Sequence, residues 1–358
     1  MSRAAASIGD VFLLGFEGTA PDASLREWFE ALRPGGVILF ARNIVTPEQA
    51  ADLTATLQRW RGESPLLVAV DQEGGRVARF GPPFTVLPGN GALGRAGDVA
   101  LAERVGRLLG TELKAVGVTV NLAPVLDLRV GPENLVLGER CLGADPASVA
   151  ALGAALIRGM QESGVAATAK HFPGHGGTAV DSHEALPVVP ADRAWLTDTA
   201  LAPFRLAVAA KVAAMMTAHV CYPALDPDLP ATLSPRIVSL LRRDLGFDGV
   251  VISDDLLMQA IAKNWPLEEA AVLALQAGAD AVLLAGDAFA QARALAAVEA
   301  AVTAGRIPAA RLAEAAARLT ALRRRVGPPR PLAPGPLRAL LGCPAHRAVA
   351  SALMPWAN

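Results

Sequence analysis

Eight short apolar runs, separated by longer stretches with helical punctuation, repeat along most of this chain, and that alternation restricts the fold more than any single motif does. The runs are Val11 to Glu17, Gly36 to Ala41, Leu66 to Asp71, Val118 to Leu122, Val165 to His171, Ala213 to His219, Val250 to Asp254 and Ala281 to Ala285. Such runs suit strands covered on both faces, as in a parallel sheet. The segments between them carry helix starts and stops. Thr46-Pro47-Glu48-Gln49 offers a cap, a first-turn proline and a capping-box partner, and Gly62 is a stop. Ser234-Pro235 opens another helix, Gly246 closes it, and Gly249 leads into Val250-Val251-Ile252. Strand and helix alternating eight times predict an α/β fold closed into a (β/α)8 barrel of the TIM type. The rival is a doubly wound open sheet. It ordinarily has fewer strands or a second domain, and no linker breaks the chain before about residue 327.

From Val326 the composition turns proline-rich. The expected organisation is therefore one barrel domain over residues 1–327 and a Pro-rich C-terminal extension with a short helix over 328–358, which either wraps the barrel or stays mobile. With 33 basic and 34 acidic residues, the net charge of -1 leaves no footprint for nucleic acid or an anionic membrane. No run approaches the roughly 18 apolar residues of a membrane span. Three scattered cysteines, Cys141, Cys221 and Cys343, are too few for a disulfide framework or a zinc cluster. Together with an N-terminal segment that lacks a signal-peptide layout, they point to a cytoplasmic protein.

Polar residues gather where the strands should end. Asp71, His171, His219 and Asp254 close apolar runs, and Asn43 and Asp127 follow two others. In a barrel these ends meet at one mouth, where catalytic groups are placed. The bland alternative is that each merely caps the next helix. Because adjacent strand residues point to opposite sides, only one of Asp254 and Asp255 should face the mouth, and Lys170 and His171 should likewise diverge. Two connections are longer than usual, Gln72 to about Gly97 and Phe172 to about Arg193, as expected where a barrel builds its site.

The second of these begins within the stretch Lys170 to Pro187, KHFPGHGGTAVDSHEALP, which holds three of the five histidines and one of four lysines. Asp181 and His183 lie two apart, so an extended loop can place both on one side. A carboxylate there fixes the imidazole tautomer and lets it donate and recover a proton near neutral pH. Lys170 could serve as a Schiff-base nucleophile, a phosphate contact or a donor to hydroxyls, with an ion pair inside the barrel as the bland alternative. The stretch Asp71 to Arg79, DQEGGRVAR, lacks a phosphate-cradle pattern and suits a planar ligand with several hydroxyls better. His171, His175, His183 and His219 lack the spacing of a compact metal site, so no metal or cofactor is expected. A metal-dependent barrel hydrolase and a non-catalytic sugar-binding barrel remain the alternatives.

Three motifs in order, DQEGGRVAR at Asp71 to Arg79, Lys170 to Pro187, and GVVISDDLLM at Gly249 to Met258, resemble glycoside hydrolase family 3, and within it the single-domain bacterial β-N-acetylglucosaminidases of cell-wall recycling. The resemblance covers about residues 8–325 and implies a retaining hydrolase acting on small carbohydrates such as N-acetylglucosamine-containing muropeptides. By it, Asp254 is the nucleophile, His183 the general acid and base, and Asp181 its tuning partner. Asp71, Arg79, Arg140, Lys170 and His171 hold the terminal sugar. The Gly174 to Gly177 segment is expected to let the loop swing, bringing His183 to the leaving-group oxygen only when sugar occupies the mouth. After Arg140 the family more often has Ser and an aromatic residue, where this chain has Cys141-Leu142.

Overall fold

The computed structural model describes residues 8–131, 137–178 and 184–357. All eight apolar runs become strands: β1 (Phe12–Leu14), β2 (Gly36–Leu39), β3 (Leu67–Val70), then, after two strands outside the barrel, β6 (Val120–Asn121), β7 (Ala166–Phe172), β8 (Ala214–Thr217), β9 (Val250–Asp255) and β10 (Ala281–Leu284). They pair in parallel in chain order, and β10 pairs with β1 from Phe12↔Val282 to Leu14↔Leu284, which closes the barrel and rules out the open sheet. The two remaining strands, β4 (Gln72–Gly74) and β5 (Val77–Ala78), form an antiparallel hairpin beyond β3 that the alternation did not announce.

Helices start where short polar side chains can take an orphan N–H. Asp22 accepts from Leu25 ahead of α1 (Ala23–Leu32), and Thr46 from Gln49 ahead of α2 (Pro47–Arg61). After the short α3 (Asn90–Ala96), Asp98 and Asp145 cap α4 (Val99–Ala115) and α5 (Pro146–Glu162). Ser234 caps the helix at Pro235–Ser239, as its sequence suggested. Each cap contributes about 1 kcal/mol. These residues do the capping, which leaves Asp71, Asp127 and Asp254 for other work. Asn43 does not cap α2 but has a structural role: it is fully buried and its amide donates to the carbonyls of Phe16 and Gly18, fastening the loop after β1.

Two strands break the strict alternation of side chains. Along β7 the register against β8 shifts between Ala169 and Phe172, and the Lys170–His171 peptide is cis. Along β9, Ile252 pairs with Ala281 but Asp255 pairs with Leu283, so one more residue of β9 is spanned than of β10. A bulge of this kind re-aims side chains locally.

The C-terminal segment wraps the barrel. Helix Ala309–Val326 ends at Gly327, the Leu332 N–H bonds the Ala115 carbonyl at the end of α4, and helices Pro334–Leu340 and Pro344–Leu353 follow, then a turn at Met354–Trp356. Leu337, Leu341 and Leu353 are buried in the same apolar cluster as the barrel strands. Two helices stand where one was expected. Among the described residues no helix is long and apolar enough to cross a membrane.

Candidate active site

A cavity of about 340 Å³ opens at the C-terminal ends of the strands and is lined by residues from seven of the eight barrel strands or the loops after them. Asp71, Arg79, Arg140, Lys170, His171 and Asp254, all singled out in the sequence, line it together. Asp181 and His183 lie outside the described residues. The chain is next described at Glu184, whose carbonyl accepts from Lys263 Nζ at 2.7 Å, a tie to the segment after β9.

Lys170 lies at the centre of an ion network. Its Nζ is 2.7 Å from Asp71 Oδ1 and 2.7 Å from Glu73 Oε1. Arg140 grips Glu73 in a fork, Nε to Oε2 and Nη2 to Oε1, both at 2.9 Å. Burial alone would raise the Glu73 carboxyl, but the charges of Lys170 and Arg140 overrule it and hold the group down at about 2. Burial likewise opposes the charge on Lys170, and Asp71 and Glu73 outweigh it and raise the ammonium above its usual range. A lysine held protonated by two carboxylates is no Schiff-base nucleophile, because that chemistry needs the free amine. Nor does it offer a surplus charge for phosphate. What remains is a fixed donor to hydroxyls. Arg79 adds another: its Nη2 is 3.6 Å from Asp71 Oδ2, and its buried Nε has no partner among the described residues.

Beneath this layer Asp127 organises the histidines. It is fully buried and accepts from the backbone N–H groups of His171 and His175, the latter at 2.7 Å, and from His171 Nδ1 at 2.6 Å. Burial would raise its carboxyl, and the two histidines lower it instead. An ionised carboxylate only accepts, so Nδ1 of His171 carries the proton and Nε2 is the nitrogen turned to the cavity. His175 is pushed down to about 4, first by burial and then by His171, and is neutral at neutral pH.

Asp254 and Asp255 both line the cavity, and so do Lys170 and His171, contrary to the expected divergence. The physical reason is the bulge in each strand, which cancels the two-residue period at the mouth. The two aspartates still differ in employment. Asp255 Oδ1 accepts from Leu257 N at 3.1 Å and Ala285 N at 3.2 Å, pinning the turn after β9 to the end of β10. Asp254 accepts from the Asp255 N–H at 2.8 Å. Burial would raise the Asp254 carboxyl, but His219, His171 and Lys170 keep it below the ordinary carboxylate range, ionised at neutral pH. His219 is itself fixed, with Nε2 donating to the Asp255 carbonyl at 2.9 Å and Nδ1 at 2.8 Å from Thr232 Oγ1.

The glycine turn is tightly built as far as it is described. Gly174 has φ +124°, and its carbonyl accepts from the buried Tyr222 hydroxyl at 2.9 Å. A Cβ on Gly176 would come within 1.7 Å of the Leu128 carbonyl oxygen. Gly174 and Gly176 serve close packing in this conformation. Cys141 and Leu142, the departure noted after Arg140, pack into the interior and leave the Arg140 guanidinium on Glu73.

Sequence reasoning quoted Glu73 without giving it a role, and it noted Asp127 only for its position. Glu73 is reached through the β4 hairpin, which no periodicity marks, and Asp127 lies past the two-residue strand β6. His175 and His219 were weighed as metal ligands. Each instead has a hydrogen-bonding partner, Thr178 for His175 and Thr232 for His219.

A closed parallel barrel whose mouth combines an ionised aspartate with a neutralised network of hydroxyl-directed donors defines a barrel hydrolase for a polar, uncharged ring. Residues 7–322 match the N-terminal domain of glycosyl hydrolase family 3, and the chain belongs to that family. A β-hexosaminidase of Alkalilimnicola ehrlichii is 46% identical over 279 residues, covering 76% of this chain and 79% of that one. One from Nitrosomonas eutropha is 42% identical over 259 residues, with 71% and 74% covered. Among solved structures, a family 3 β-N-acetylglucosaminidase from Paenibacillus sp. superposes with a TM-score of 0.93 at 43% identity, over 98% of this chain and 68% of that one.

Proposed function

We propose that the chain is a retaining exo-β-N-acetylglucosaminidase that removes terminal N-acetylglucosamine from small carbohydrates, with muropeptides from cell-wall recycling in the cytoplasm as the natural substrate class. The observation that carries this reading is Asp254, an ionised carboxylate at the end of β9, sharing one cavity with the Asp71–Lys170–Glu73–Arg140 network.

In the first step an Asp254 oxygen attacks the anomeric carbon as the bond to the leaving oxygen breaks, and His183 gives that oxygen its proton. In the second, His183 takes a proton from water, the water oxygen bonds the anomeric carbon, and Asp254 leaves with its electron pair. Retaining glycosidases ordinarily use two carboxylates for these roles. Here Asp181 and His183 replace the second, the carboxylate supporting the imidazolium that is present before the first step and restored by the second. Meanwhile Asp71, Lys170, Arg79, Arg140 and His171 hold the sugar, and positioning alone lowers the barrier by several kcal/mol.

Hydrolysis of an aryl β-N-acetylglucosaminide beside an aryl β-glucoside tests class and sugar preference together. Preference for the glucoside overturns the N-acetyl assignment. For the acid, His183→Ala should slow substrates with poor leaving groups far more than those with good ones, which need little protonation. A uniform loss removes His183 from that role.

A further inference from the structure

Among the described residues, none of 328–357 lines the cavity, yet polar contacts, buried at one junction and exposed at the other, join this segment to both loops that deliver arginines to it. The first junction is Glu112 of α4, only 2% exposed. Its carboxylate accepts from the Thr85 N–H and hydroxyl, both at 2.8 Å, from Gly342 N at 2.9 Å and from His346 Nδ1 at 2.8 Å. Two donors thus come from the loop after β5 and two from the C-terminal segment. Three of the four meet on one oxygen, Oε1, so the segment cannot shift without disturbing Thr85. Beside Thr85, the Phe84 ring stacks on Phe80 with centroids 4.5 Å apart. Phe80 adjoins Arg79, and the N–H groups of both bond Gln72 Oε1 at 3.0 and 2.8 Å.

The second junction is Arg95 of α3. Its Nε donates to the Trp356 carbonyl at 2.8 Å, and its Nη2 pairs with Glu139 at 2.9 Å. Glu139 precedes Arg140, whose carbonyl accepts from Asn90 Nδ2 at 3.1 Å, at the start of the same α3. Each junction therefore ends one residue from a side chain of the cavity.

We propose that residues 328–357 are a positioning element of the sugar pocket, coupled to Arg79 through Glu112 and Thr85 and to Arg140 through Arg95 and Glu139. The inference rests on reading those two arginines as sugar ligands. At the Glu112 junction an unpaired buried carboxylate is costly, so the partners move together or not at all; at the exposed Arg95 junction one guanidinium bridges the Trp356 carbonyl and Glu139 directly.

The test uses the full chain with Glu112→Gln and Arg95→Gln, and Arg338→Ala as control. Arg338 holds the same segment through an exposed pair with Glu48 at 2.6 Å and touches neither junction. The inhibition constant of N-acetylglucosamine should rise about fivefold or more in the first two variants. Their kcat for an aryl β-N-acetylglucosaminide should stay within about twofold, the split expected when ground-state positioning is lost. Amide exchange should quicken in residues 79–85 for Glu112→Gln and 137–142 for Arg95→Gln, while the control changes neither quantity. Unchanged inhibition and exchange in both variants overturn the proposal, as does an equal rise in the control. Should Glu112→Gln not fold, Arg95→Gln, at a partly exposed site, decides alone. A wild-type protein inactive on the N-acetylglucosaminide refutes the functional reading instead, and the exchange data then judge the coupling.

Discussion

The ammonium of Lys170 lies 2.7 Å from Glu73 Oε1, with the side chains 3% and 1% exposed. A charge pair sealed this well is held by geometry on all sides, and each member depends on the other to remain ionised. Glu73 is therefore the keystone of the cavity's ion network, although no role was assigned to it from sequence.

Glu73→Ala leaves Lys170 and Arg140 facing one another without their shared carboxylate. The expected cost is about 3 to 5 kcal/mol of stability, the range for breaking a buried pair. Urea unfolding measures it, and a loss below about 1 kcal/mol would mean that the network is not stabilised in this way.

Asp254→Asn and Asp255→Asn should separate two adjacent acids. The first is expected to lower kcat by roughly 10⁴-fold or more while the fold survives. The second weakens the acceptor for Leu257 N and Ala285 N and should cost about 1 kcal/mol of stability, as the loss of a cap does. Steady-state rates and thermal melts of both variants check the assignment; the opposite pattern would exchange the roles.

Asp127→Asn replaces an acceptor by a side chain that can donate, so His171 is no longer held as the Nδ1–H tautomer. A 10- to 100-fold fall in kcat/KM is expected, roughly the effect of removing the partner that orients a functional imidazole. Nitrogen chemical shifts of the labelled imidazole provide the independent readout, since a wild-type tautomer in the variant contradicts the argument.

His175 supplies a pH dependence. Its folded value of about 4 lies below the model-peptide 6.5, so between these limits the unfolded chain binds more protons than the folded one. Stability is then complete above about pH 6.5 and declines as pH falls toward 4, by an amount on the order of 3 kcal/mol. His175→Gln should flatten the slope of unfolding free energy between pH 6.5 and 5, above the range where Glu73, held at about 2, begins to titrate. An unaltered slope assigns the effect elsewhere.

The barrel was legible because buried parallel strands must be apolar throughout: each of the eight runs overlaps an observed strand, with ends off by a few residues at most. Site residues at strand termini were legible for the related reason that a polar group closing an apolar run needs an explanation. Glu73 and Asp127 were not, because a hairpin and a loop bring them in from positions with no period of their own. Nor could alternation foresee that both members of Lys170-His171 and of Asp254-Asp255 share the cavity. That depended on how β7 and β9 meet their neighbours, which is a property of two strands at once.

Those two bulges also set what the chain can tolerate. At an ordinary strand, inserting or deleting one residue reverses inside and outside, whereas at β7 and β9 the irregular step already lies within the chemistry-bearing doublet. The doublets Lys170-His171 and Asp254-Asp255 must therefore be inherited as units, with their spacing to the apolar run intact. The exposed faces of the surrounding helices remain free to drift, so the record of descent in this barrel should be densest over two pairs of neighbouring residues.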